Sequence, residues 1–444
     1  MKKSHLFFPF CYALLLFFLF TGCKKSTALD PKHPVTLTMW HVYGEQVDSP
    51  MNRLIEEFNQ TTGRDKGILV NVTLMSNATA IGDKLLKAQA DVPGIPNMPD
   101  LFFCHLSNAE ALGADTLLDW NKQFTEEERN QFVPAFVEDG VIGDRLSILP
   151  VSKSTHVLYL AGAPFARFSD ATGVRKEDLS TWDGFFDAAE KYYAWSGGKP
   201  FCALDYLLRC VDLDAMEKGA NNFYTEEGWY DLENAQLKAS FMPFARALAK
   251  GHIVVSDLYS NTQVMTGEVV AGIGSTASIL YYNDAITYPD GKSEPMDLQV
   301  LPMPKATGKK FLVTQAGVGL CARKTTEQKT EAATVFAKWL TEAERNLNFC
   351  VETGYMPVRK DAFAKIKDHS FPSKGYENLY HTLETVNATA TAVREPANVS
   401  YYDNVHMLYD ALKKQQARLA GKPYTEKEAQ KRAEEIWALF CAIQ

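Results

Sequence analysis

The 444-residue chain lacks the short patterns that mark metal enzymes, redox proteins and nucleotide hydrolases. It contains no His-x-x-x-His, His-Glu-x-x-His or Cys-x-x-Cys, so no motif supports a zinc site or thioredoxin-type redox chemistry. It has neither the Gly-x-Ser-x-Gly of serine hydrolases nor the glycine-rich Walker A loop that binds nucleotide phosphates. We therefore expect no metal, no organic cofactor and no catalytic residue.

Long runs of charge and of apolar residues are also scarce. The formal net charge is −8, and basic residues form only short pairs such as Lys309-Lys310, which is the opposite of a nucleic-acid-binding surface. Beyond residues 6–20 there is no second long apolar run, no internal repeat and no low-complexity segment. With 46% hydrophobic and 23% charged residues, the body of the chain is predicted to be soluble and globular, with two or three domains or two large lobes.

Cysteine is sparse and scattered, with eight residues in the whole chain. Cys11 and Cys23 lie near the N-terminus. The other six occupy mostly apolar stretches, where a free buried thiol is the simplest expectation: Cys104, Cys202, Cys210, Cys321, Cys350 and Cys441. Cys202 and Cys210 are the plausible local disulfide pair, and the sequence leaves their state open.

The N-terminus has the pattern of a bacterial secretion signal. Two lysines precede the apolar run 6–20, and the sequence Phe20-Thr21-Gly22-Cys23 follows it. This site resembles the lipobox of bacterial lipoproteins, with Phe20 where leucine is commonest. The resemblance implies a signal peptide over 1–22, a lipid on Cys23 and a lipidated tether over 23–34, which would hold the protein on an extracytoplasmic or periplasmic membrane face. An uncleaved transmembrane anchor is less favoured, because the run is short of the about 20 residues that a bilayer requires and Pro9 interrupts it.

The first part of the chain alternates between strand and helix patterns. Strands are predicted over 35–40, 68–74 and 101–104, and helices from Pro50 and over 83–90, with Ser49 as the helix cap. This β-α-β-α-β order predicts a parallel sheet covered by helices, so the fold class is α/β. The alternation breaks at 146–160. We expect a first lobe of 35–150, with 266–322 returning to it, and a second lobe of 151–265 and 323–444.

Several local patterns refine this picture. A helix is predicted over 182–195 and another over 241–249, and strands over 268–275, 298–304 and 311–322. Thr341 with Glu344 and Thr425 with Glu428 match the capping-box spacing at helix starts.

Two further patterns have more than one interpretation. The Gly272-Ile273-Gly274-Ser275 sequence fits a loose dinucleotide fingerprint, but it is far from the first β-α-β unit. A small-residue turn there could bind a phosphate, carboxylate or sugar oxygen, or could be a tight turn alone. The acidic and aromatic segment 205–231 fits either a solvated surface or the carboxylate pair of a glycan hydrolase.

Taken in order, several segments resemble the extracellular solute-binding proteins of ABC importers, in the large family that takes carbohydrates. They cover most of residues 35–365 and comprise Leu37-Thr38-Met39-Trp40-His41, Pro99-Asp100-Leu101-Phe102-Phe103, the stretch 149–159, Thr181-Trp182-Asp183, 272–275 and Thr353-Gly354-Tyr355-Met356-Pro357-Val358. The resemblance implies two α/β lobes joined by a hinge of crossing strands, with a ligand in the cleft between them. It also implies a monomer that delivers a sugar or other polyhydroxylated solute to the transmembrane subunits of a permease.

Within that family the pattern is most similar to glycerol-3-phosphate and glycerophosphodiester binders. The resemblance places seven residues at the ligand: Trp40, His105, Ser154, Ser275, Gly317, Tyr355 and Arg394. Tyr43 is the eighth candidate, because it is an aromatic residue in a loop beside a glycine. Arg394 would pair with an anionic group, and the aromatic residues would pack on the ligand. His105 stands where those binders carry a glutamate, and 205–209 replaces their tryptophan pair. A secreted glycan or phosphodiester hydrolase and a surface adhesin are the alternatives from other classes.

Overall fold

The computed structural model describes residues 27–43, 49–74, 78–221, 223–394, 396, 398 and 400–444. The expected signal peptide 1–22 and the lipid site Cys23 lie outside these residues. The strands of the described part are β1 (Val35–His41), β2 (Ile68–Leu74), β3 (Leu101–Cys104), β4 (Val141–Ile142), β5 (Arg145–Leu146), β6 (His156–Ala161), β7 (Cys202–Leu204), β8 (Ile253–Val254), β9 (Ala271–Ser275), β10 (Ala285–Thr287), β11 (Ser293–Pro295), β12 (Leu298–Pro302), β13 (Leu312–Gln315), β14 (Gly319–Ala322) and β15 (Thr391–Arg394).

The helices lie between and after these strands. They are α1 (Pro50–Phe58), α2 (Arg64–Lys66), α3 (Ala78–Gln89), α4 (Leu106–Leu112), α5 (Glu126–Asn130), α6 (Pro134–Glu138), α7 (Gly162–Thr172), α8 (Trp182–Trp195), α9 (Leu207–Glu217), α10 (Ala235–Lys250), α11 (Ser260–Met265), α12 (Glu327–Leu340), α13 (Ala343–Thr353), α14 (Lys360–Phe363), α15 (Lys374–Thr389), α16 (Tyr401–Leu419) and α17 (Glu426–Ile443). A π-helical turn (Asn59–Gly63) joins α1 to α2, and 3-10 turns cover Trp120–Lys122, Lys176–Ser180, Thr276–Tyr281 and Ile366–Asp368.

The first sheet has the strand order β14-β3-β1-β2. The strand β1 pairs in parallel with β2 from Val35 opposite Ile68 to His41 opposite Leu74, and β14 runs antiparallel to β3. Its helices begin and pack as the sequence predicts. Ser49 accepts a hydrogen bond from the Asn52 amide at the start of α1, and α12 packs against both β1 and α1. The prediction of an α/β fold that starts with parallel strands is confirmed.

The second sheet has the order β12-β6-β9-β7-β8. At its centre every residue of β6 is buried, because strands lie on both sides and helices cover the faces. The strands β12 and β9 pair antiparallel with β6, whereas β7 pairs in parallel with β9. Helix α15 packs on β12, whereas α10, α16 and α17 pack against one another and α10 also contacts β8.

This topology differs from the expected division of the chain into lobes. Of the segment 266–322, only β14 joins the first sheet, because β9 and β12 hydrogen-bond to β6 in the second. Conversely, α12 and α13 fall within 323–444 but pack against β1 and α1 in the first lobe. Local apolar patterns locate each strand, but they do not state which distant strand it pairs with.

Three segments cross between the two sheets, and β-bridges tie them together. Leu149 bridges Leu320, Ser154 bridges Ala316, and Lys153 bridges Met356. The backbone amide of Ser154 donates to Ala316 O at 2.9 Å, and Ala316 N donates back at 3.0 Å. The crossing segments therefore form a short ladder, and this ladder is the hinge.

Two smaller predictions also have outcomes. The capping box at Thr425 and Glu428 is confirmed. The one at Thr341 is wrong, since the Thr341 hydroxyl donates to Ala337 O at the end of α12 and Glu342 precedes α13.

The six cysteines of the described residues are free thiols, and Cys202 and Cys210 do not form a disulfide. None of the helices built from the described residues has the length and apolar character needed to span a bilayer.

Candidate ligand-binding cleft between the two sheets

Two sheet edges meet at the hinge. The carboxyl ends of β1 and β3 and the start of β14 form one edge, and Tyr43 and His105 follow directly after the first two. The carboxyl ends of β7 and β9 and the start of β6 form the other edge, where Asp205 and Ser275 lie. In open α/β sheets this is where ligands bind, because loops and helix starts converge there. The cleft between these edges is the candidate site.

Tyr43 forms the floor of the cleft on the side of the first lobe. Its hydroxyl lies 3.0 Å from the Ser152 hydroxyl. Its ring makes edge-on contacts with Phe103 and Phe349 at 5.2 Å and with Tyr355 at 6.1 Å between centroids. Burial raises the pKa of Tyr43 well above its ordinary value, so the phenol stays neutral and keeps its proton.

Tyr355 is held against the second lobe by the turn that precedes it. Gly354 has φ of +70°, and a Cβ there would lie 2.8 Å from the Cα of Ala277. Glycine is required because this turn packs directly on the turn that follows Ser275. The Tyr380 hydroxyl lies 2.8 Å from Tyr355 O and fixes the backbone from the other side. Tyr355 is half-buried, beside Tyr43.

Ser154 and Gly317 lie in the hinge ladder. Ser154 is buried. Gly317 has φ of +115°, and a Cβ on it would lie 3.6 Å from Ser152 O. The hinge thus places Ser154 and Gly317 next to Ser152, whose hydroxyl contacts that of Tyr43.

Ser275 ends β9 and caps the 3-10 turn that follows. Its hydroxyl accepts a hydrogen bond from the Ala277 amide at 3.3 Å. The glycines before it are needed for close packing, because a Cβ on Gly274 would lie 2.7 Å from a carboxylate oxygen of Asp205 and one on Gly272 would lie 2.8 Å from the Cβ of Ser260. The Gly-Ile-Gly-Ser sequence therefore forms the closely packed end of β9, and a dinucleotide fingerprint does not explain it.

One wall of the cleft carries a charge cluster that joins the lobes. Asp139, which follows α6 in the first lobe, makes ion pairs with the buried Lys153 of the hinge and with Arg394, whose Nε lies 3.3 Å away. Burial alone would raise the pKa of Asp139, but the Lys153 ammonium and the Arg394 guanidinium bring it below the ordinary value. The His105 ring lies 5.5 Å from that of Tyr402. Both contacts run from the first lobe to the C-terminal part of the chain.

On an adjoining wall of the cleft, the imidazole of His156 stacks on the ring of Tyr206, with centroids 4.3 Å apart and planes 9° apart. Burial first and the nearby Arg209 second lower the pKa of His156 to about 3, so the ring is neutral at physiological pH. Arg209 donates to Arg394 O at 3.0 Å and so attaches the wall to β15. Tyr206 remains 42% exposed.

With this geometry in place, the chain can be compared with known proteins. Residues 53–378 match the family model described as bacterial extracellular solute-binding protein. The chain belongs to this family. No curated protein matched the chain in a sequence comparison.

Solved structures with the same fold include several binding proteins. The cyclic alpha-maltosyl-1,6-maltose binding protein from Arthrobacter globiformis has a TM-score of 0.67 at 15% identity, over 92% of this chain and 99% of that chain. The sugar-binding protein MalE from Xanthomonas citri has a TM-score of 0.66 at 14% identity, over 92% and 98%. UgpB from Mycobacterium tuberculosis, in complex with glycerophosphocholine, has a TM-score of 0.65 at 16% identity, over 92% and 98%.

Sequence analysis assigned eight residues to the ligand of this solute-binding protein. One of them, Trp40, lies outside the cleft. It is 3% exposed and belongs to an apolar cluster with Ile81, Leu85 and Phe102, between β1 and α3. Alternation along β1 turns Met39 and Trp40 to opposite faces, and both faces are covered. Trp40 is therefore a core residue. The others lie along the hinge and the walls of the cleft.

Sequence analysis did not assign the stacked pair His156 and Tyr206 to the site. A usable signal was present, since Tyr206 comes two residues after a short buried strand in a segment rich in small and apolar residues. Its position beside His156 depends on the pairing of β6 with β9 and of β9 with β7. Those pairings join residues that are far apart in the chain.

Two of the carboxylates that could have indicated a hydrolase make hydrogen bonds or ion pairs within the fold. Asp205 accepts hydrogen bonds from the Ser260 amide at 2.7 Å and hydroxyl at 2.8 Å. Asp212 is fully buried against Arg209 and accepts a hydrogen bond from the Tyr224 hydroxyl at 2.6 Å. In the described part of the chain, no group of three or more His, Cys, Asp or Glu side chains is placed to hold a metal ion.

Proposed function

We propose that this solute-binding protein is the lipid-anchored receptor of an ABC importer and captures a polyhydroxylated solute, in the first place a neutral sugar. The solute would bind between the two sheet edges, and the lobes would close on it before delivery to the permease. The observation that carries the proposal is the cleft itself, which has a tyrosine at three of its borders: Tyr43, Tyr206 and Tyr355. No bond would be made or broken.

The chemistry of the cleft suits a sugar. A pyranose ring has apolar C–H faces and a rim of hydroxyls, so it needs flat aromatic partners beside hydrogen-bonding groups. Tyr206 and Tyr355 supply partly exposed rings. His105 and Ser154 and the backbone near Gly317 supply donors and acceptors on the first lobe and the hinge. Ser275 supplies a hydroxyl on the second lobe.

The charges at the cleft support an uncharged ligand. The carboxylate of Asp139 faces Lys153 and Arg394, and Glu110 lies within the electrostatic reach of Arg394. Arg209 faces Asp212 at 3.6 Å. Each of the three cations therefore already interacts with a carboxylate, and an anionic ligand would have to displace one of these carboxylates.

A glycerophosphodiester is the second candidate. The Arg394 side chain is 46% exposed and lies at the cleft wall, where its guanidinium could turn from Asp139 to a phosphate. The fold-sharing UgpB structure contains glycerophosphocholine. A zwitterionic head of this kind would leave the charge balance of the cleft unchanged.

The remaining parts of the proposal concern partners. The lipobox at Cys23 supports a diacylglyceryl anchor on an extracytoplasmic membrane face. The transmembrane subunits of a permease would be the partner that accepts the solute, and the protein would act as a monomer.

The experiment is a thermal-shift and calorimetry screen of the chain from Lys24 onward. The panel holds mono- and oligosaccharides, glycerol 3-phosphate and glycerophosphodiesters. A ligand at about 100 times its dissociation constant stabilises the folded state by roughly 2.7 kcal/mol, which gives a clear shift. A response to neutral sugars supports the first candidate, and a response to phosphodiesters alone supports the second. No response to any member, together with turnover of chromogenic glycosides, would contradict both.

A further inference from the structure

Two thiols meet inside the first sheet although they are far apart in the chain. Cys104 ends β3, and Cys321 lies in β14, which pairs antiparallel with β3. Their sulfur atoms are 3.7 Å apart, and 217 positions of sequence separate them. Sequence analysis names Cys202 and Cys210 as the plausible local pair, and the fold brings a different pair into contact.

The strand register explains why these sulfurs meet. Cys104 lies opposite Gly319, and Cys321 lies opposite Phe102. The two cysteines are therefore diagonal neighbours on one face of the sheet, a placement at which side chains remain within reach of each other. Gly319 has no side chain that could come between the sulfurs. Because a disulfide bond is about 2.05 Å long, the sulfurs need to approach by roughly 1.7 Å, through rotation of each side chain about its Cα–Cβ bond.

The surroundings of the pair are apolar and closed to solvent. Both cysteines are 0% exposed and belong to the cluster that contains Trp40 and Ile148. Burial first, and Cys104 second, raise the pKa of the Cys321 thiol well above its ordinary value. The thiolate is the reactive species, so an oxidant would react slowly with these thiols in the folded protein. A link between them has to form while β14 docks on β3, before the pair is enclosed.

The family of the chain indicates the compartment in which this docking takes place. The matched family consists of bacterial extracellular solute-binding proteins. Exported proteins fold where disulfides form and persist, whereas the cytosol keeps thiols reduced. We infer that Cys104 and Cys321 form a disulfide in the exported protein, and that this bond fastens β14 to β3 beside the hinge.

The reaction is a thiol–disulfide exchange with a disulfide of that compartment, on either a protein oxidoreductase or a small molecule. The thiolate of one cysteine attacks the S–S bond of the oxidant and forms a mixed disulfide, and the released sulfur takes up a proton. The second cysteine loses its proton and attacks the mixed disulfide. This step forms the bond between Cys104 and Cys321 and releases the other sulfur. The two cysteines lose two electrons and two protons, and the oxidant becomes two thiols.

The position of the bond gives it a role at the hinge. Gly317 of the hinge lies two residues before β14 begins, and His105 at the border of the cleft directly follows Cys104. Movement of the lobes therefore acts on β14, which has only four residues paired with β3. A covalent link between the two strands keeps the hinge segment attached to the first lobe. Closing so long a loop also restricts the unfolded chain, so the link should raise the unfolding temperature.

The test compares the same chain from two compartments. Both preparations begin at Lys24, and one is exported behind a cleavable signal peptide while the other is made in a reducing cytosol. Each is denatured with an alkylating reagent, digested without reduction and analysed by mass spectrometry. We expect the exported form to give one pair of peptides joined through Cys104 and Cys321, and the cytosolic form to give both peptides alkylated. Complete alkylation of both cysteines in the exported form would overturn the inference.

Cys202 and Cys210 are the matched control within the same protein. They are also buried, but the Cys202 thiol donates to Ala203 O at 3.4 Å. We expect both to be alkylated in either preparation. A mixture of pairings in which the link between Cys104 and Cys321 is no more abundant than the others would overturn the inference, because it would show oxidation without regard to the contact between β3 and β14.

The unfolding temperature reports whether the bond fastens the strand. The exported wild type should unfold several degrees above the cytosolic wild type. Cys104→Ala combined with Cys321→Ala should unfold at one temperature from either compartment, and the single variant Cys321→Ala, which also lacks the link, gives the same comparison. Equal unfolding temperatures for the two wild-type preparations would overturn the fastening of β14. The inference is independent of the solute and of the lipid at Cys23, so its failure would leave the proposed function untouched.

Discussion

His156 and Tyr206 stack face to face at the start of β6 and the end of β7, with ring centroids 4.3 Å apart. The neutral imidazole is fully enclosed, while Tyr206 remains 42% exposed. A stacked neighbour restricts the ring of Tyr206 to one orientation, so little side-chain entropy is lost when a ligand covers it. We regard this pair as the preformed aromatic platform of the cleft.

Replacing the platform should weaken ligand binding. We expect Tyr206→Ala to cost about 1–2 kcal/mol of binding free energy, roughly a tenfold rise in Kd, because a sugar would lose its aromatic partner. Isothermal calorimetry with the ligand from the screen measures the change. Trp195→Ala, an aromatic of similar exposure on α8, is the control and should keep the wild-type Kd. A wild-type Kd in Tyr206→Ala would remove Tyr206 from the site.

Tyr355 should act through its ring as well as its hydroxyl. Tyr355→Ala removes both and is expected to raise Kd by at least tenfold, whereas Tyr355→Phe keeps the ring beside Tyr43 and should have a smaller effect. Thermal denaturation without ligand should change little in either variant, because Tyr355 is half-buried. Unchanged affinity in the alanine variant would show that the ring does not contact the ligand.

Arg394 separates the two candidate ligands. If the ligand is a neutral sugar, Arg394→Gln should leave Kd within about threefold, because the guanidinium already pairs with Asp139. If the ligand is a glycerophosphodiester, the same variant should raise Kd by tenfold or more, since a charge-assisted hydrogen bond to phosphate would be lost. Titration of the variant with both classes of ligand decides between the outcomes.

The Asp139–Lys153 ion pair should be important for stability. Only 4% of the Lys153 side chain and 13% of the Asp139 side chain are exposed. Asp139→Asn leaves a buried ammonium without its main counter-charge, and we expect it to lower the free energy of unfolding by about 3–5 kcal/mol. Urea denaturation measures this loss.

A double variant provides the control for that ion pair. Asp139→Asn combined with Lys153→Met removes both charges, so it should be more stable than Asp139→Asn alone. A loss below about 1 kcal/mol in the single variant would contradict the importance of this ion pair for stability.

The buried histidine should make stability depend on pH. The pKa of His156 is lowered to about 3 in the folded state, from an ordinary value of 6.5. Below pH 6.5 the unfolded chain binds a proton there and the folded chain does not. The stability from this group is therefore complete above pH 6.5 and is lost as the pH falls toward 3.

Between pH 7.5 and 4.5 the loss due to His156 should be about 2–3 kcal/mol. His156→Gln should show a correspondingly weaker fall in the free energy of unfolding over that range, measured by urea denaturation at each pH. The fall will not vanish, because burial also lowers the pKa values of His41 and His252 to about 4. The surface substitution His33→Gln is the control. A fall as steep in His156→Gln as in the wild type would contradict the burial of a neutral imidazole.

Local sequence patterns predicted where the strands and helices lie, but they did not predict which strands pair with each other. The strand 68–74 and the helix 182–195 have the predicted bounds, because apolar alternation and the 3.6-residue period are written into consecutive residues. The lobe assignment of 271–275 and 298–302 was wrong, because pairing with β6 depends on residues more than 100 positions away.

The same limit applies to the site. Tyr43 and Tyr355 could be predicted from their segments, and the structure brings the two rings into contact. Trp40 looks equivalent in sequence, but it lies on a strand that is covered on both faces, so its neighbours decide its role. Tyr206 was missed because its stacking partner comes from a different strand.

The position of β14 in the first sheet has a consequence for biogenesis. This edge strand pairs with β3 although more than 200 residues separate them in the chain. A chain that emerges from a translocon N-terminus first would present three strands of that sheet with one edge unsatisfied until residue 322 has crossed. The first lobe should therefore mature after much of the second, and during that interval the unpaired edge of β3 is open to pairing with other chains, which a chaperone would prevent.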